Sequence, residues 1–383
     1  MSNQFLMPAK IYVGKNALVD CFNNLQFPGS HALIVTDESM IKFGYIDTVT
    51  AILKEKNVEF TIFDKVNFEP TDTCINEGAT VYKSNLCDFL IGLGGGSPID
   101  AMKAITMVTS SKKLLSEYTS TIFDQNRPFM IAIPTTAGTG SETTQFTIIT
   151  DTQRDIKMLL KGPKVLPDVA IVDPLFTLST PEKVTAATGI DALCHAIEAY
   201  TSKKAQPLSS LYALDAIKKI FISLPECFNT PTNIDAREQM SLAAFEAGCA
   251  FNNASVTLIH GMSRPIGANF HIPHGLSNAV LMYACLEHVK VAAQDRFATI
   301  ARAINCTTST NDEVACTDFF HALENLLQIL CSPSLKDIIT DKERFIMSID
   351  KMSTDAYDSG SPSNSLCDIT IDDMKSIYLK LIK

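Results

Sequence analysis

No block of basic residues occurs in this 383-residue chain, and its formal net charge is −10. That argues against a nucleic-acid groove or an anionic membrane surface as partner, because both draw on clustered Lys and Arg. Small molecules are the expected ligands. Paired cysteines are missing as well. The eleven cysteines fall singly, as at Cys21, Cys87, Cys194 and Cys306, without a CxxC pair, so neither a disulfide framework nor a Cys-rich zinc module fits. No stretch approaches about 18 uninterrupted apolar residues, and Met1 to Ile11 lacks an apolar run behind a basic start, so neither a spanning helix nor a secretory signal is expected. A reducing cytoplasm is the expected location. Internal repeats are absent, and the only biased tract is the short Ser359 to Ser365 segment. What remains is an ordinary globular composition, 46% hydrophobic and 19% charged, in a chain longer than one core usually organises. Two domains are expected.

Up to about residue 180, short Val/Ile-rich runs alternate with helical stretches: Ala32 to Thr36, Phe60 to Phe63, Phe89 to Leu93, Met130 to Ile133 and Val169 to Val172. That alternation predicts an α/β domain with parallel strands. Beyond Pro181, segments such as Ala192 to Tyr200, Leu208 to Phe221 and Asp235 to Ala250 carry helix-period apolar residues, which predicts an all-helical second half. Pro174 and Pro181 bracket the boundary, giving domains 1–180 and 181–383, with a ligand expected in the cleft between them.

Two loops in the first half suit phosphate. After the apolar strand ending near Leu93 come Gly94, Gly95, Gly96, Ser97 and Pro98, then a helical pattern. Glycines admit close backbone approach, Ser97 suits an N-cap and Pro98 a first helical turn, so free N–H groups would face a pyrophosphate. Ser97 stands where the common G-x-G-x-x-G fingerprint has its third glycine, and a tight turn without ligand is the plainer alternative. Residues 134–142, Pro-Thr-Thr-Ala-Gly-Thr-Gly-Ser-Glu, again follow a strand with glycines and hydroxyls that can donate to phosphate or ribose. Asp37 closes an early strand, where a carboxylate accepts the adenosine ribose hydroxyls and repels a 2′-phosphate, favouring NAD over NADP. A helix N-cap is the alternative role.

The helical half concentrates metal-binding side chains. Asp191 and His195 stand four apart on one helical face, and His260 and His274 follow, each before a glycine. One carboxylate and three imidazoles leave positions open for a substrate oxygen on a divalent cation. An exposed Asp–His ion pair, and capping or core histidines, would explain the same residues more plainly.

The ordered strings 94–97 (GGGS), 134–142 (PTTAGTGSE), 189–198 (GIDALCHAIE), 260–262 (HGM) and 273–275 (PHG) together resemble the iron-dependent (group III) alcohol dehydrogenases, a family that includes lactaldehyde reductase and 1,3-propanediol dehydrogenase. The likeness runs from about Pro8 to Ile382. It implies a dehydroquinate-synthase-like fold: an N-terminal Rossmann-like parallel-sheet domain, a C-terminal helical domain, and a metal in the cleft. Carried over residue by residue, the family's metal ligands fall on Asp191, His195, His260 and His274. Its NAD contacts fall on Asp37, Gly95, Gly96, Ser97, Thr135 and Thr136, and, where the surroundings match less closely, on Thr144, Lys157 and Leu178. The metal implied is Fe²⁺, although the same donors suit Zn²⁺ or another divalent ion.

One departure stands out. Many members carry a second histidine four residues after the position of His260, where this chain has Arg264, a group that cannot act as a base. His271 is the nearby candidate for a proton relay, assisted by Lys157 through the nicotinamide ribose; a packed or cleft-lining His271 and a solvated Lys157 are the alternatives. The implied reaction is NAD-linked hydride transfer between a small primary alcohol or diol and its aldehyde, in a homodimer or larger homo-oligomer. The alternatives are a hydroxy acid of the 4-hydroxybutyrate type, its acid group paired with Arg264, or an inactive metabolite-binding relative.

Overall fold

Four of the five apolar runs of the first half form strands buried on both faces, and the fifth, Phe60 to Phe63, lies in an edge strand with Ile62 exposed. In the computed structural model, which describes residues 2–67, 69–154 and 156–383, the chain divides into two compact units, Leu6–Thr180 and Pro181–Lys383, the latter joined by the N-terminal residues up to Phe5. The first unit contains β1 (Lys10–Val13), α1 (Ala17–Asn24), β2 (His31–Val35), α2 (Glu38–Lys42), α3 (Tyr45–Glu55), β3 (Glu59–Phe63), α4 (Asp72–Ser84), β4 (Phe89–Gly94), α5 (Gly96–Ser110), β5 (Phe129–Pro134), β6 (Phe146–Asp151), β7 (Ile156–Lys161) and β8 (Val169–Val172). Six strands pair in parallel in the order β1-β8-β5-β4-β2-β3. Side chains alternate across a strand, so Leu33, Val35, Leu90 and Ala132 join a core with Ile75, Ile99 and Ile105 from α4 and α5. Ala32, Ile34, Ile91 and Ile131 join the opposite core with Phe22, Val49 and Leu53 from α1 and α3. With both faces covered by helices, nothing selects for polar alternation, which is why these strands read as continuous apolar runs.

Two features of this unit depart from the sequence reading. β1 is an edge strand whose middle residues are only half-buried, so it carries no strong apolar signal. β6 and β7 form a separate antiparallel hairpin. Its turn is closed by the Asp151 carboxylate, which accepts from the amides of Gln153 and Arg154, both at 3.0 Å.

The second unit is built, among the described residues, from helices and one short 3-10 turn, Pro362–Asn364: α6 (Glu182–Tyr200), α7 (Pro207–Asn229), α8 (Ile234–Ala254), α9 (Leu258–Phe270), α10 (His274–His288), α11 (Gln294–Ala303), α12 (Asp312–Ile329), α13 (Leu335–Ile338), α14 (Lys342–Asp358) and α15 (Ile371–Ile382). Pro181 stands at the N-cap of α6, where its fixed φ and missing N–H cost the helix nothing. Among the described residues no helix is long and apolar enough to cross a membrane.

Candidate metal centre and cofactor loops

Three helices of the second unit bring four acceptor groups to one point. α6 supplies Asp191 and His195 from one face, α9 supplies His260 from its first turn, and α10 supplies His274 as its first residue. The Asp191 Oδ1 lies 3.9 Å from His195 Nδ1, 3.5 Å from His260 Nε2 and 3.7 Å from His274 Nε2, and one ligand atom from each residue falls within 4.8 Å of all the others. Asp191, His195 and His260 are buried, while His274 is half-exposed. The approach of α10 to α6 depends on Gly275, because a Cβ there would meet the Ala187 carbonyl oxygen at 2.6 Å.

The surroundings of this cluster orient it. Glu198, fully buried one turn beyond His195, accepts from the Thr257 hydroxyl at 2.8 Å and from the amides of Ile259 at 2.7 Å and His260 at 3.4 Å. It thereby satisfies first-turn amides of α9 that have no partner within the helix. Its other oxygen pairs with His260 Nδ1. A proton held on Nδ1 leaves the Nε2 lone pair directed at Asp191 and His274, the arrangement a metal-ligating histidine needs. The His195 ring stacks between Phe251, at 4.0 Å, and His260, at 4.4 Å. Asn278, one turn after His274, has its Nδ2 2.6 Å from Asp191 Oδ1, 3.1 Å from His260 Nε2 and 3.3 Å from His274 Nε2. Its Oδ1 is buried without a hydrogen-bond partner among the described residues.

The electrostatics match. Burial works to raise the Asp191 carboxyl, but His195, His274 and His260 together hold it well below the usual range. Burial likewise works to lower His260, and the Glu198 and Asp191 carboxylates overcome it, raising His260 to about 8. A buried carboxylate and three convergent imidazoles, with no Lys or Arg among them, are the donor set of a divalent cation, so the residues fit the metal that the family resemblance implies.

Arg264 lies outside this set. Its Nη1 donates to the Ser361 hydroxyl at 3.0 Å, and burial lowers its pKa while Glu198 opposes that. His271 is exposed and ends α9 in a left-handed conformation at φ 53°; it is not one of the four clustered donors.

The first unit gathers the glycine loops at the carboxyl ends of adjacent parallel strands, where open α/β sheets bind ligands. Gly94 ends β4 at φ +149°, and a Cβ there would strike the Pro98 ring at 2.5 Å and lie 3.2 Å from Asp37 Oδ2. Thr135, at the end of β5, donates its amide to the Gly94 carbonyl at 2.9 Å, and Thr136 borders Gly95. The N-cap of α5 is Gly95 rather than Ser97, and it offers no capping side chain. Helix geometry therefore starts two residues earlier than a Ser cap would place it, and the first-turn amides have no partner within the helix. Asp37 does cap α2, its Oδ1 accepting from Ser39 N at 2.8 Å and Met40 N at 3.3 Å, while Oδ2 faces the glycine loop. Thr144 is buried and bonded to Lys103 at 2.8 Å. Lys157 lies on β7 with its ammonium 2.6 Å from Glu69 Oε1. Leu178 follows the 3-10 turn Pro174–Thr177 after β8.

The residues that sequence reasoning passed over are Glu198, Asn278, Phe251 and Lys103. Two left a signal: Glu198 is seven residues from Asp191 on the same helical face, and Asn278 is four from His274. Phe251 comes from α8 and Lys103 makes its contacts across the fold, so spacing could not reveal either.

Residues 8–174 match the family described as iron-containing alcohol dehydrogenase, and residues 185–382 match the C-terminal domain of the Fe-containing alcohol dehydrogenase family. The NAD-dependent methanol dehydrogenase of Bacillus methanolicus is 38% identical over 79% of this chain and 80% of its own length. The 1,3-propanediol dehydrogenase of Klebsiella pneumoniae is 37% identical over 78% of each. A crystal structure of 1,3-propanediol oxidoreductase superposes with a TM-score of 0.94 at 31% identity, covering 100% of both chains. Motifs, fold, clustered donors and kinship agree, and the chain belongs to the iron-containing alcohol dehydrogenase family.

Proposed function

We propose that this protein is a metal-dependent, NAD-linked alcohol dehydrogenase and aldehyde reductase for small primary alcohols or diols. Residues 6–180 form the NAD-binding domain and residues 181–383 the metal-binding catalytic domain, the N-terminal residues up to Phe5 belonging with the latter. The observation that carries this reading is the convergence of Asp191, His195, His260 and His274 within 4.8 Å in a chain of this family. These four hold the cation, which when bound supplies Lewis acidity that lowers the pKa of an alcohol hydroxyl. NAD would supply the hydride acceptor, and the protein's share is orientation.

Each residue has a defined part. Glu198 keeps the proton on His260 Nδ1, and Asn278 holds the Asp191 carboxylate by a hydrogen bond. The amides following Gly95 receive the pyrophosphate, with Thr135 and Thr136 beside them, and Asp37 disfavours a 2′-phosphate by charge. His271 relays the alcohol proton to solvent, an assignment favoured by its exposure and by the absence of a base at Arg264. Thr144, Lys157 and Leu178 complete the cofactor site, with Lys157 beside the nicotinamide ribose. The enzyme acts as a cytoplasmic homodimer or larger homo-oligomer.

The test is steady-state oxidation of short primary alcohols, diols and 4-hydroxybutyrate with NAD and with NADP. Higher kcat/KM for an uncharged alcohol with NAD is expected. Turnover confined to the hydroxy acid, or an NADP preference, would overturn the substrate or the cofactor assignment respectively.

A further inference from the structure

A buried ionic cluster ties α5 to the segment after the second loop. Lys103 is fully buried, and its ammonium donates to Ser141 Oγ at 3.1 Å, Thr144 Oγ1 at 2.8 Å and the Phe146 carbonyl at 2.9 Å. All three of its protons are used. Asp100, one turn earlier, has Oδ1 3.9 Å from that ammonium and accepts from the Ser141 hydroxyl and from the Ile148 amide at 2.9 Å. Its backbone carbonyl accepts from Thr147 Oγ1, also at 2.9 Å. Burial lowers Lys103 to about 8 against the pull of Asp100 and Glu142. An apolar side chain would fill this space without desolvating a charge, so stability alone does not account for a lysine here.

Both ends of the cluster belong to the glycine loops. α5 opens with Gly95 at its N-cap and with Gly96 and Ser97, and the partner segment continues the loop from Thr135. The loops already touch, since a Cβ on Gly96 would stand 3.0 Å from Thr139. The Thr144 hydroxyl is engaged internally: it accepts from Lys103 and lies 3.2 Å from the Ser141 carbonyl, to which it donates.

We propose that Lys103 is a positioning residue for the dinucleotide: by gripping Ser141, Thr144 and Phe146 from α5, it sets the spacing between the Gly95–Ser97 cradle and the Thr135–Thr144 loop, and Thr144 serves the cofactor through this tether. The inference rests on the reading that these loops bind NAD.

The test is calorimetric NAD titration of the metal-loaded wild type, Lys103→Met, Thr144→Val and the double variant, with steady-state kinetics and thermal melts. In Lys103→Met the Kd and KM for NAD should rise about tenfold or more, as expected for a lost charged hydrogen-bond set. Its kcat at saturating NAD should stay within about threefold of wild type, and its metal content should be unchanged. The double variant should bind NAD no more weakly than Lys103→Met alone, because the two residues act through one contact. A folded Lys103→Met with wild-type NAD affinity, or additive losses in the double variant, would overturn the inference and leave the loop reading standing. A wild type that does not bind NAD would overturn the loop reading and the inference with it. If Lys103→Met does not fold, Ser141→Ala carries the test: raised NAD Kd at unchanged kcat supports the tether, and wild-type Kd overturns it.

Discussion

Replacing Glu198 with Gln should weaken metal binding far more than it weakens the fold. Glu198 Oε1 accepts from Thr257, Ile259 and His260 N, and Oε2 pairs with His260 Nδ1. A Gln amide can keep its oxygen in the first position, so the cap on α9 survives. Its NH₂ then faces Nδ1, which must become an acceptor, and the imidazole proton moves to Nε2, the atom directed at Asp191. Losing the orienting partner of a metal-ligating histidine typically costs 10- to 100-fold in affinity, about 1.4–2.7 kcal/mol. The Ala variant behaves differently. It leaves the Thr257 hydroxyl, the Ile259 amide and the His260 ring N–H buried without their acceptor, at about 1–3 kcal/mol each, so apo-protein stability should fall as well. The assay is competitive Zn²⁺ titration of apo-protein against a chromophoric chelator, with thermal melts of the same samples. Wild-type metal affinity in a folded Glu198→Gln protein would refute the assigned tautomer and the role of Glu198.

His260→Ala or His274→Ala should abolish turnover while leaving NAD affinity at the wild-type value, measured by calorimetry beside kinetics; substantial activity after either change would count against the ligand assignment. Gly275→Ala should lower both stability, by about 1–3 kcal/mol, and metal affinity, because its Cβ must displace the Ala187 carbonyl; melts and metal titration check this. Burial raises Glu142 to about 7 against the opposing pull of Lys103. The folded state therefore holds an extra proton, and this stabilisation is present in full below the ordinary carboxyl pKa and lost as pH rises through about 7. Thermal melts between pH 5 and 8 should show wild type losing up to about 3 kcal/mol relative to Glu142→Gln. Asp37→Ala should raise kcat/KM with NADP relative to NAD, and its melt should reveal the lost α2 cap, about 1 kcal/mol.

The parallel strands were legible because burial on both faces writes them as apolar runs, and β2, β4, β5 and β8 lie within a residue or so of their sequence-read limits. The hairpin β6–β7 was not, since its order depends on the Asp151 turn and on packing beneath it. At the metal centre, Asp191 and His195 were legible from helical periodicity. The approach of His260 and His274 was not legible from spacing, because it depends on how α9 and α10 pack on α6, where Gly275 and the Glu198 cap make close contacts. The loops were legible as glycine-rich turns, but the shift of the α5 cap from Ser97 to Gly95 was not: both residues suit that position, and the strand's end decides between them. Lys103, read as part of a helical pattern, belongs to a charged network that no local pattern encodes.

The most direct test of metal-dependent, NAD-linked alcohol oxidation at Asp191, His195, His260 and His274 is to purify the protein anaerobically, quantify its metal, strip it with a chelator and reload it with Fe²⁺ or Zn²⁺, following NAD-linked oxidation of a short primary alcohol throughout. Stoichiometric metal, loss of turnover on stripping and recovery on reloading are predicted, with no recovery in His260→Ala. Undiminished NAD-linked turnover by metal-free protein would contradict the account.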